Sequence, residues 1–405
     1  MLIVYCKQHY CRLLLIFGNN VADYMYPRAL DLPNLLKKRS YFLFGPRGTG
    51  KSTLIDQTLF DAKVYDLLDA SQFQRLLLNP TLIAEETDPH TLVVIDEIQK
   101  LPVLLDEVHR LIVKRKQTFL LTGSNARKLR RGGVNLLAGR AFEAWLLPLT
   151  SHEIPHFDLL TYLNTTGLPE FYGQENAHEY LKAYIGTYLQ EEIKAEALTR
   201  NLSGFARFLE VVALCNGEEV NYANISSDCG VAVRTVESYF GILDDTLIGF
   251  SIPPFLSTIK RKAITRAKYY LFDIGIVSSL ARRGRVEFKS ELFGRLFEHF
   301  IALELRAFIA YRRINLLLQY WRSASHFEVD FIIGNKLALE VKGTNLVNNK
   351  HLKGLRALKE EQLIHTYGVV SLDPHDRFTE DGIHIWSWKS FLQKLWSGFF
   401  DELIF

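Results

Sequence analysis

The sequence predicts an α/β protein in which a parallel sheet with helices on both faces is followed by a winged-helix module and a second α/β domain. An apolar run ending in a glycine-rich turn, residues 41–53, and another ending in two carboxylates, residues 91–97, predict buried strands of the parallel sheet. An alternating hairpin at residues 326–343 predicts the second α/β domain. The 405 residues allow roughly two to four domains of about 100–200 residues each.

Overall composition excludes few classes of function. The 48 lysines and arginines against 45 acidic residues give a net charge of +3, so a nucleic-acid partner would have to be recognised by local charge clusters. The hydrophobic content of 48% is typical of a folded soluble protein. The four cysteines, Cys6, Cys11, Cys215 and Cys229, form no Cys-x-x-Cys pair, which favours a reducing cytosol over a disulfide framework.

The first 24 residues are apolar, but Lys7 and Arg12 interrupt them well short of the roughly 20 residues that span a bilayer. Charges inside the apolar run and the lack of a small-residue cleavage site also argue against a secretory signal. Met25 is the second of only two methionines. We therefore expect residues 1–24 to be a loosely attached arm or to precede the true translation start, and the protein to be cytoplasmic with no membrane partner.

A phosphate-binding loop is predicted where the first apolar run ends. Residues 45–52 match G-x-x-x-x-G-K-[ST], a pattern whose backbone N–H groups and following helix N-terminus surround nucleotide phosphates. In such a loop Lys51 reaches the β- and γ-phosphates and Ser52 holds Mg²⁺. The residues expected to contact ATP are Gly45, Pro46, Arg47, Gly48, Thr49, Gly50, Lys51, Ser52 and Thr53.

The second apolar run ends in the carboxylates that hydrolysis requires. Residues 91–97 read TLVVIDE, the pattern called Walker B. We expect Asp96 to coordinate Mg²⁺, usually through water, and Glu97 to polarise the water that attacks the γ-phosphate.

Two further features complete the predicted ATPase site. The apolar run 118–123 is expected to lie between the other two strands and to deliver Ser124 or Asn125 toward the γ-phosphate. Arg140 is expected either to stabilise transition-state charge in a neighbouring subunit, which would imply a homo-oligomer, or to pair with a local carboxylate.

The middle of the chain predicts helices and a basic segment. Periodicity in residues 205–243 predicts a winged-helix outline, and its DNA-binding use would turn four side chains toward a groove: Arg234, Thr235, Ser238 and Tyr239. A purely structural three-helix module is the alternative, since the segment holds one cation among several acids. Residues 258–285 carry eight lysines and arginines, one acid and the aromatic side chains of Tyr269, Tyr270 and Phe272. This pattern suits either a surface along a phosphate backbone or a solvated face.

The hairpin near the C-terminus predicts a second active site. If Ile333 pairs with Leu337, Asp330 lies opposite Glu340 on one face, and Lys342 shares that face. Two carboxylates and a lysine would bind Mg²⁺ and activate water for phosphodiester cleavage, with Glu298 as a further metal contact. The pattern D-x9-E-x-K resembles the PD-(D/E)xK nuclease fold, which is restriction-endonuclease-like, although Val329 replaces the motif's proline. An ordinary hairpin with a Glu–Lys pair is the alternative.

Together, GPRGTGKST, VVIDEIQ, LLTGSN, LAGRAFEAWLLPLT and EVDFII…ALEVKG resemble a family of prokaryotic AAA-type (AAA+) P-loop ATPases with a C-terminal PD-(D/E)xK nuclease-like domain of unknown function. The resemblance covers nearly the whole chain after Met25. It implies ATP hydrolysis with Mg²⁺ by Lys51, Asp96 and Glu97, with Ser124 or Asn125 as sensor and Arg140 as finger.

On this interpretation, residues 25–150 form the ATPase domain, 151–200 a helical lid or connector, 201–257 the winged-helix-like module and 258–405 the nuclease-like domain. We expect the ATPase to act on DNA or another nucleic acid. Two alternatives stay open: a nucleotide-gated DNA-binding or regulatory protein whose C-terminal domain does not cleave, and a toxin-like or defence protein that acts on another protein.

Overall fold

Five parallel strands form the first sheet. The computed structural model describes residues 26–123, 136–189, 193, 199, 201–288 and 290–401. The strands are β1 (Ser40–Phe44), β2 (Lys63–Asp66), β3 (Val93–Asp96), β4 (Phe119–Gly123) and β5 (Ala141–Trp145). Their order is β2-β3-β4-β1-β5, so β4 lies between the other two predicted strands, as the sequence indicated.

Helices cover both faces of this sheet, which confirms the predicted α/β arrangement. They are α1 (Leu32–Leu36), α2 (Lys51–Thr58), α3 (Ala70–Leu78), α4 (Leu82–Glu86) and α5 (Leu104–Arg115). Successive side chains of a strand point to opposite faces. Phe42 therefore packs with Leu104 of α5 in one core, while Leu43 packs with Leu54 of α2 in the other.

The middle of the chain is a helical region that contains a two-stranded antiparallel sheet. Its helices are α6 (Leu159–Asn164), α7 (Ala177–Thr187), α8 (Leu202–Leu214), α9 (Tyr222–Cys229), α10 (Val233–Asp245) and, after the sheet, α11 (Ile274–Leu280). The strands are β6 (Gly249–Ile252) and β7 (Lys268–Leu271). The boundary expected at residue 257 falls between these paired strands, so the middle region continues beyond it.

One residue expected to face a DNA groove is instead buried. Tyr239 is 2% exposed and packs against Phe205 and Phe208 of α8. Its spacing from Val236 and Leu243 places it on the core face of α10. The expectation for Tyr239 was therefore wrong, whereas Arg234 and Ser238 are exposed and Thr235 is half-buried.

The basic segment 258–285 is not a continuous cationic surface. Its aromatic side chains, those of Tyr269, Tyr270 and Phe272, are buried and cannot stack on bases. Arg261 pairs with Glu360 at 2.6 Å, and Arg282 pairs with Glu210 at 2.8 Å. Lys268 is 4% exposed. These ion pairs and burials leave only part of the predicted positive charge accessible to a partner.

A second α/β unit follows. It comprises α12 (Glu291–Arg312), α13 (Lys353–Lys359), α14 (Trp388–Trp396) and strands β8 (Leu318–Arg322), β9 (Glu328–Ile333), β10 (Leu337–Lys342), β11 (Thr366–Ser371), β12 (Arg377–Phe378) and β13 (His384–Ser387). The sheet order is β12-β13-β11-β10-β9-β8. Helices α12 and α14 cover one face and α13 covers the other. Leu337 pairs with Ile333, the register that the sequence predicted.

The two α/β units share contacts through the long helix α12. Leu147 and Leu149, which follow β5, belong to the same core as Phe300 and Phe308 of α12. The segment between β6 and β7 also reaches the second unit, since Pro254 bridges to Tyr320 of β8. Within the described ranges, no helix combines the length and apolar character needed to cross a membrane.

Candidate functional site

The glycine-rich loop joins β1 to α2 in a shape suited to an anion. Gly48 and Gly50 have φ values of 81° and 87°, which favour glycine. A Cβ on Gly45 would lie 2.3 Å from the carbonyl oxygen of Leu146, so a larger residue would collide with the backbone. Gly50 begins α2 without a side-chain cap. The first N–H groups of this helix therefore need another acceptor, and a phosphate can supply it.

Lys51 lies across this loop. Its side-chain Nζ donates to the carbonyl oxygens of Gly45 at 2.7 Å and Pro46 at 3.2 Å. The hydroxyl of Thr49 also donates to Pro46, at 2.9 Å. These bonds hold the ammonium group directly over the loop that would surround the phosphates.

Three oxygen-bearing side chains meet beside the loop. Ser52 Oγ donates to Asp96 Oδ2 at 3.0 Å, and Thr122 of β4 donates to Asp96 Oδ1. Neighbouring ligands of octahedral Mg²⁺, each at about 2.1 Å, lie about 3 Å apart. The Ser52 hydroxyl and the Asp96 carboxylate therefore fit the ion that accompanies ATP.

Glu97 is held in a rare backbone conformation next to this group. Its φ is 59°, in the left-handed region that a residue with a side chain seldom adopts. The N–H of Glu97 donates to Thr122 Oγ1 at 3.0 Å, and Gln99 donates to the Glu97 carboxylate. Such strain costs roughly 1–3 kcal/mol and persists where the surroundings fix it, which suits a carboxylate that must be aimed.

The remaining predicted ATPase residues are placed differently. Ser124 and Asn125 lie outside the described residues. Arg140 is exposed and directly precedes β5, whose first residue pairs with the first residue of the parallel strand β1. The phosphate loop follows the other end of β1. Arg140 therefore lies at the edge of the sheet opposite to the glycine-rich loop of its own chain.

Arg28 supports the phosphate loop from behind, a role that the sequence did not indicate. Its guanidinium donates to the carbonyl oxygens of Thr49 and Leu147, both at 2.6 Å, and to Glu153 at 3.0 Å. Tyr311 of α12 is 3.4 Å away. Burial opposes the charge of Arg28, but Glu153 and Tyr311 together hold the pKa of Arg28 above its ordinary value.

The predicted hairpin residues come together at a second site. Lys342 Nζ lies 2.6 Å from Glu340 Oε1 and 3.8 Å from Asp330 Oδ2. The N–H of Val341 also donates to Asp330 Oδ2, at 2.8 Å. Asp330 and Glu340 are almost fully buried, whereas the Lys342 side chain is about one-third exposed.

Another lysine enters this site from β7. Lys268 Nζ lies 3.2 Å from Glu298, 2.6 Å from Glu328 and 4.0 Å from Asp330. Tyr270 donates to Glu298 at 2.7 Å. We call the whole group the carboxylate cluster, and its members are Lys268, Glu298, Glu328, Asp330, Glu340 and Lys342.

The electrostatics of the carboxylate cluster follow from its burial. Burial raises the pKa of Glu340, and the negative charge of Asp330 raises it further. Burial alone would lower the pKa of Lys268, but Glu298 and other acids raise it well above its ordinary value. Four carboxylates and two ammonium groups leave a formal charge of −2.

One carboxylate oxygen of the cluster bears on whether it could bind a cation. Glu340 Oε2 is buried and has no hydrogen-bond partner among the described residues, and Asp330 is the acid that most strongly raises the pKa of Glu340. In the part of the chain that the structure describes, no three acidic, histidine or cysteine side chains are arranged to hold a metal. Glu298, expected as a metal contact, accepts hydrogen bonds from Lys268 and Tyr270.

Sequence reasoning missed several residues of these sites, Glu328 among them. Thr122 had a weak signal, as the one hydroxyl residue within the apolar part of β4. Arg28 and Tyr311 had none, because their partners, apart from Thr49, lie more than 100 residues away. Lys268 was interpreted as one of the surface cations of the basic segment, and its burial shows that it is not on the surface.

Comparison with family models divides the chain into three parts. Residues 37–155 match the model described as "AAA domain". Residues 156–287 and 293–391 match models described as "Domain of unknown function", DUF8612 and DUF4143. The match to the first of these models, the parallel sheet and its glycine-rich loop together support an AAA-type P-loop domain at residues 37–155. The other two matches carry no function.

Solved structures similar to this chain include the RuvB Holliday junction branch migration motor of Thermotoga maritima, with 15% sequence identity and a TM-score of 0.28. The match covers 55% of this chain and 90% of that chain. The ORC1 protein of Aeropyrum pernix in complex with DNA has 12% identity, coverage of 60% and 86%, and a TM-score of 0.22. With scores this low, the fold assignment rests on the chain's own sheet and on the family model. A search of curated proteins found no match.

Proposed function

We propose that the protein binds ATP with Mg²⁺ at the glycine-rich loop and hydrolyses it. The observation that carries this proposal is that Ser52 and Thr122 both donate hydrogen bonds to Asp96. Asp96 directly precedes the strained Glu97, and Ser52 directly follows Lys51. Few other functions require a hydroxyl, two carboxylates and an ammonium group around an uncapped helix N-terminus.

Each of these residues has a distinct task in the proposed reaction. The loop N–H groups and Lys51 hold the phosphates and neutralise their charge. Mg²⁺, when bound, would polarise the phosphate oxygens. Ser52 and Asp96 would hold that ion, and Glu97 accepts a proton from the attacking water. Arg140 is too far from the loop of its own chain, so we propose that it serves a neighbouring subunit in a homo-oligomer.

Replacing Lys51 by alanine tests the nucleotide site. A charge-assisted hydrogen bond contributes about 1.5–3 kcal/mol, so ATP affinity is expected to fall roughly 10- to 100-fold. The measurement is a fluorescence titration with a labelled ATP analogue. Lys38→Ala, which removes an exposed lysine from the turn after α1, serves as the matched control. Unchanged affinity in Lys51→Ala, or a wild-type protein that neither binds nor hydrolyses ATP, would overturn the proposal.

A second proposed activity is Mg²⁺-dependent cleavage of nucleic acid at the carboxylate cluster. The unpaired oxygen of Glu340 favours it, since a buried carboxylate oxygen normally has a donor or a cation beside it. Asp330 and Glu340 would hold the ion, and Lys342 would orient or activate the water. Nucleic acid is proposed as the substrate because of this chemistry. The exposed cations Lys262 and Arg266, which precede Lys268 in the chain, also favour it.

Asp330→Asn tests this second activity while nearly preserving the shape of the side chain. Mg²⁺-dependent cleavage of single- or double-stranded DNA is expected to fall at least about tenfold, since a charged metal ligand is lost. ATP hydrolysis should stay within about twofold, because the two sites are separate. Glu380→Gln, an exposed acid of the same unit, is the control. If neither protein cleaves but both retain DNA, the domain only binds; if neither binds nucleic acid, another protein becomes the favoured partner.

A further inference from the structure

The position of Lys268 bears on when the carboxylate cluster can take a metal. This lysine belongs to β7, in the middle region, whereas the four carboxylates belong to the second α/β unit. Its side chain is 5% exposed and its Nζ reaches carboxylates on two different elements, α12 and β9. An ammonium group buried so deeply is stable only because these acids surround it.

Lys268 also accounts for the incomplete metal site. Magnesium requires several oxygen ligands in octahedral geometry. Asp330 and the unpaired oxygen of Glu340 would provide the first two oxygen ligands. The third acid, Glu298, accepts hydrogen bonds from Lys268 at 3.2 Å and from Tyr270 at 2.7 Å. The residues needed for a complete site are therefore present, and one of them is held by an internal cation.

We propose that Lys268 is an exchangeable internal cation, whose ammonium group and a divalent metal ion occupy the carboxylate cluster in turn. This inference rests on the proposed metal site of Asp330 and Glu340. Withdrawal of Lys268 would remove one partner from Glu298, which keeps Tyr270, and one from Glu328, which keeps Arg322 at 3.8 Å. The four carboxylates would then face Lys342 and Arg322. The cluster would then attract a divalent ion strongly, so the placement of β7 sets whether the site is open.

Strand β7 is anchored at points that a movement of the middle region could alter. Its Leu271 carbonyl accepts a hydrogen bond from His299 of α12 at 2.8 Å, and burial lowers the pKa of His299 to about 4, so that the ring is neutral at pH 7. Asn216 of the middle region accepts the N–H of Leu271 at 2.8 Å. β7 therefore bonds to both regions, and a shift between them would move Lys268 relative to the acids.

Calcium binding to the full-length protein without nucleotide tests the exchange. Lys268→Gln is expected to bind Ca²⁺ roughly tenfold or more tightly than wild type in calorimetric titrations, because a nearby positive charge is removed. Lys389→Gln, which changes an exposed cation of the second α/β unit, should match wild type. The gain should vanish in Lys268→Gln with Asp330→Asn. A folded Lys268→Gln protein with wild-type Ca²⁺ affinity would contradict the proposal.

A second measurement uses the wild-type protein, in case Lys268→Gln fails to fold. Lys268 should resist amine-reactive labelling because it is buried, and saturating Ca²⁺ should speed its labelling, as quantified by mass spectrometry. Labelling that Ca²⁺ leaves unchanged contradicts the exchange. The two proposals fail separately: tighter Ca²⁺ binding without any DNA cleavage refutes only the nuclease activity, whereas Asp330-dependent cleavage without a Ca²⁺ effect refutes only the exchange.

Discussion

Replacing Glu97 by glutamine is expected to lower ATP turnover roughly 10²- to 10⁴-fold while ATP still binds, since loss of a general base has effects of this size. Glutamine keeps the length of the side chain but cannot accept a proton from water. The groups that would hold the nucleotide, including Lys51 and Ser52, are untouched. The bond from the residue 97 N–H to Thr122 is also retained, because it involves only the backbone of residue 97.

Two measurements separate binding from chemistry in this variant. Phosphate release under saturating ATP reports turnover, and titration with a labelled ATP analogue reports affinity. Glu85→Gln, which changes an exposed acid on α4, should leave both unchanged. A Glu97→Gln protein that retains most of its turnover would show that another group activates the water.

The phosphate loop could be predicted because its chemistry is encoded in consecutive residues. A close turn before a helix requires glycines at particular spacings, and the strand before it requires an apolar run. The hairpin of the second unit was predictable for a similar reason, since alternation and a short turn together determine which residues face each other. The register that pairs Ile333 with Leu337 was therefore predictable before any tertiary contact was known.

Tertiary contacts decide the features that local patterns could not predict. Lys268 belongs to a charged segment, and charged segments usually lie in solvent. It is buried because Glu298, 30 residues later, and the strand β9 surround it. Tyr239 is a different case, because its helical spacing with Val236 already indicated the core face and the recognition-helix interpretation overrode that local pattern. Local sequence does not record which neighbours will cover a face.

The support behind the phosphate loop is the clearest case of a long-range feature. Arg28 and Glu153 are 125 residues apart, and Arg28 and Tyr311 are 283 residues apart. Arg28 thereby connects Thr49 of the loop to the segment after β5 and to α12 of the second α/β unit. A change at this residue should consequently affect both folding stability and nucleotide binding.

Arg28→Met is expected to lower the free energy of unfolding by about 3–5 kcal/mol, the usual loss when one partner of a buried ion pair is removed. Glu153 would keep the N–H groups of Ala29 and Thr150 as donors but would lose its only nearby cation among the described residues. The carbonyl oxygen of Thr49 would lose its guanidinium donor, so we also expect weaker ATP binding. Urea unfolding curves and ATP titrations measure the two effects.

Two companion variants determine whether the ion pair is responsible. Tyr311→Phe removes a hydroxyl that accepts hydrogen bonds from Arg28 and from the N–H of Leu147, and should cost about 1–3 kcal/mol, the usual loss when a buried donor is left unsatisfied. Adding Glu153→Gln to Arg28→Met should recover part of the lost stability, because the unpaired buried charge disappears. If Arg28→Met unfolds at the wild-type urea concentration and binds ATP normally, Arg28 does not support the loop. If the double variant is less stable than Arg28→Met alone, the loss comes from packing and not from the unpaired charge of Glu153.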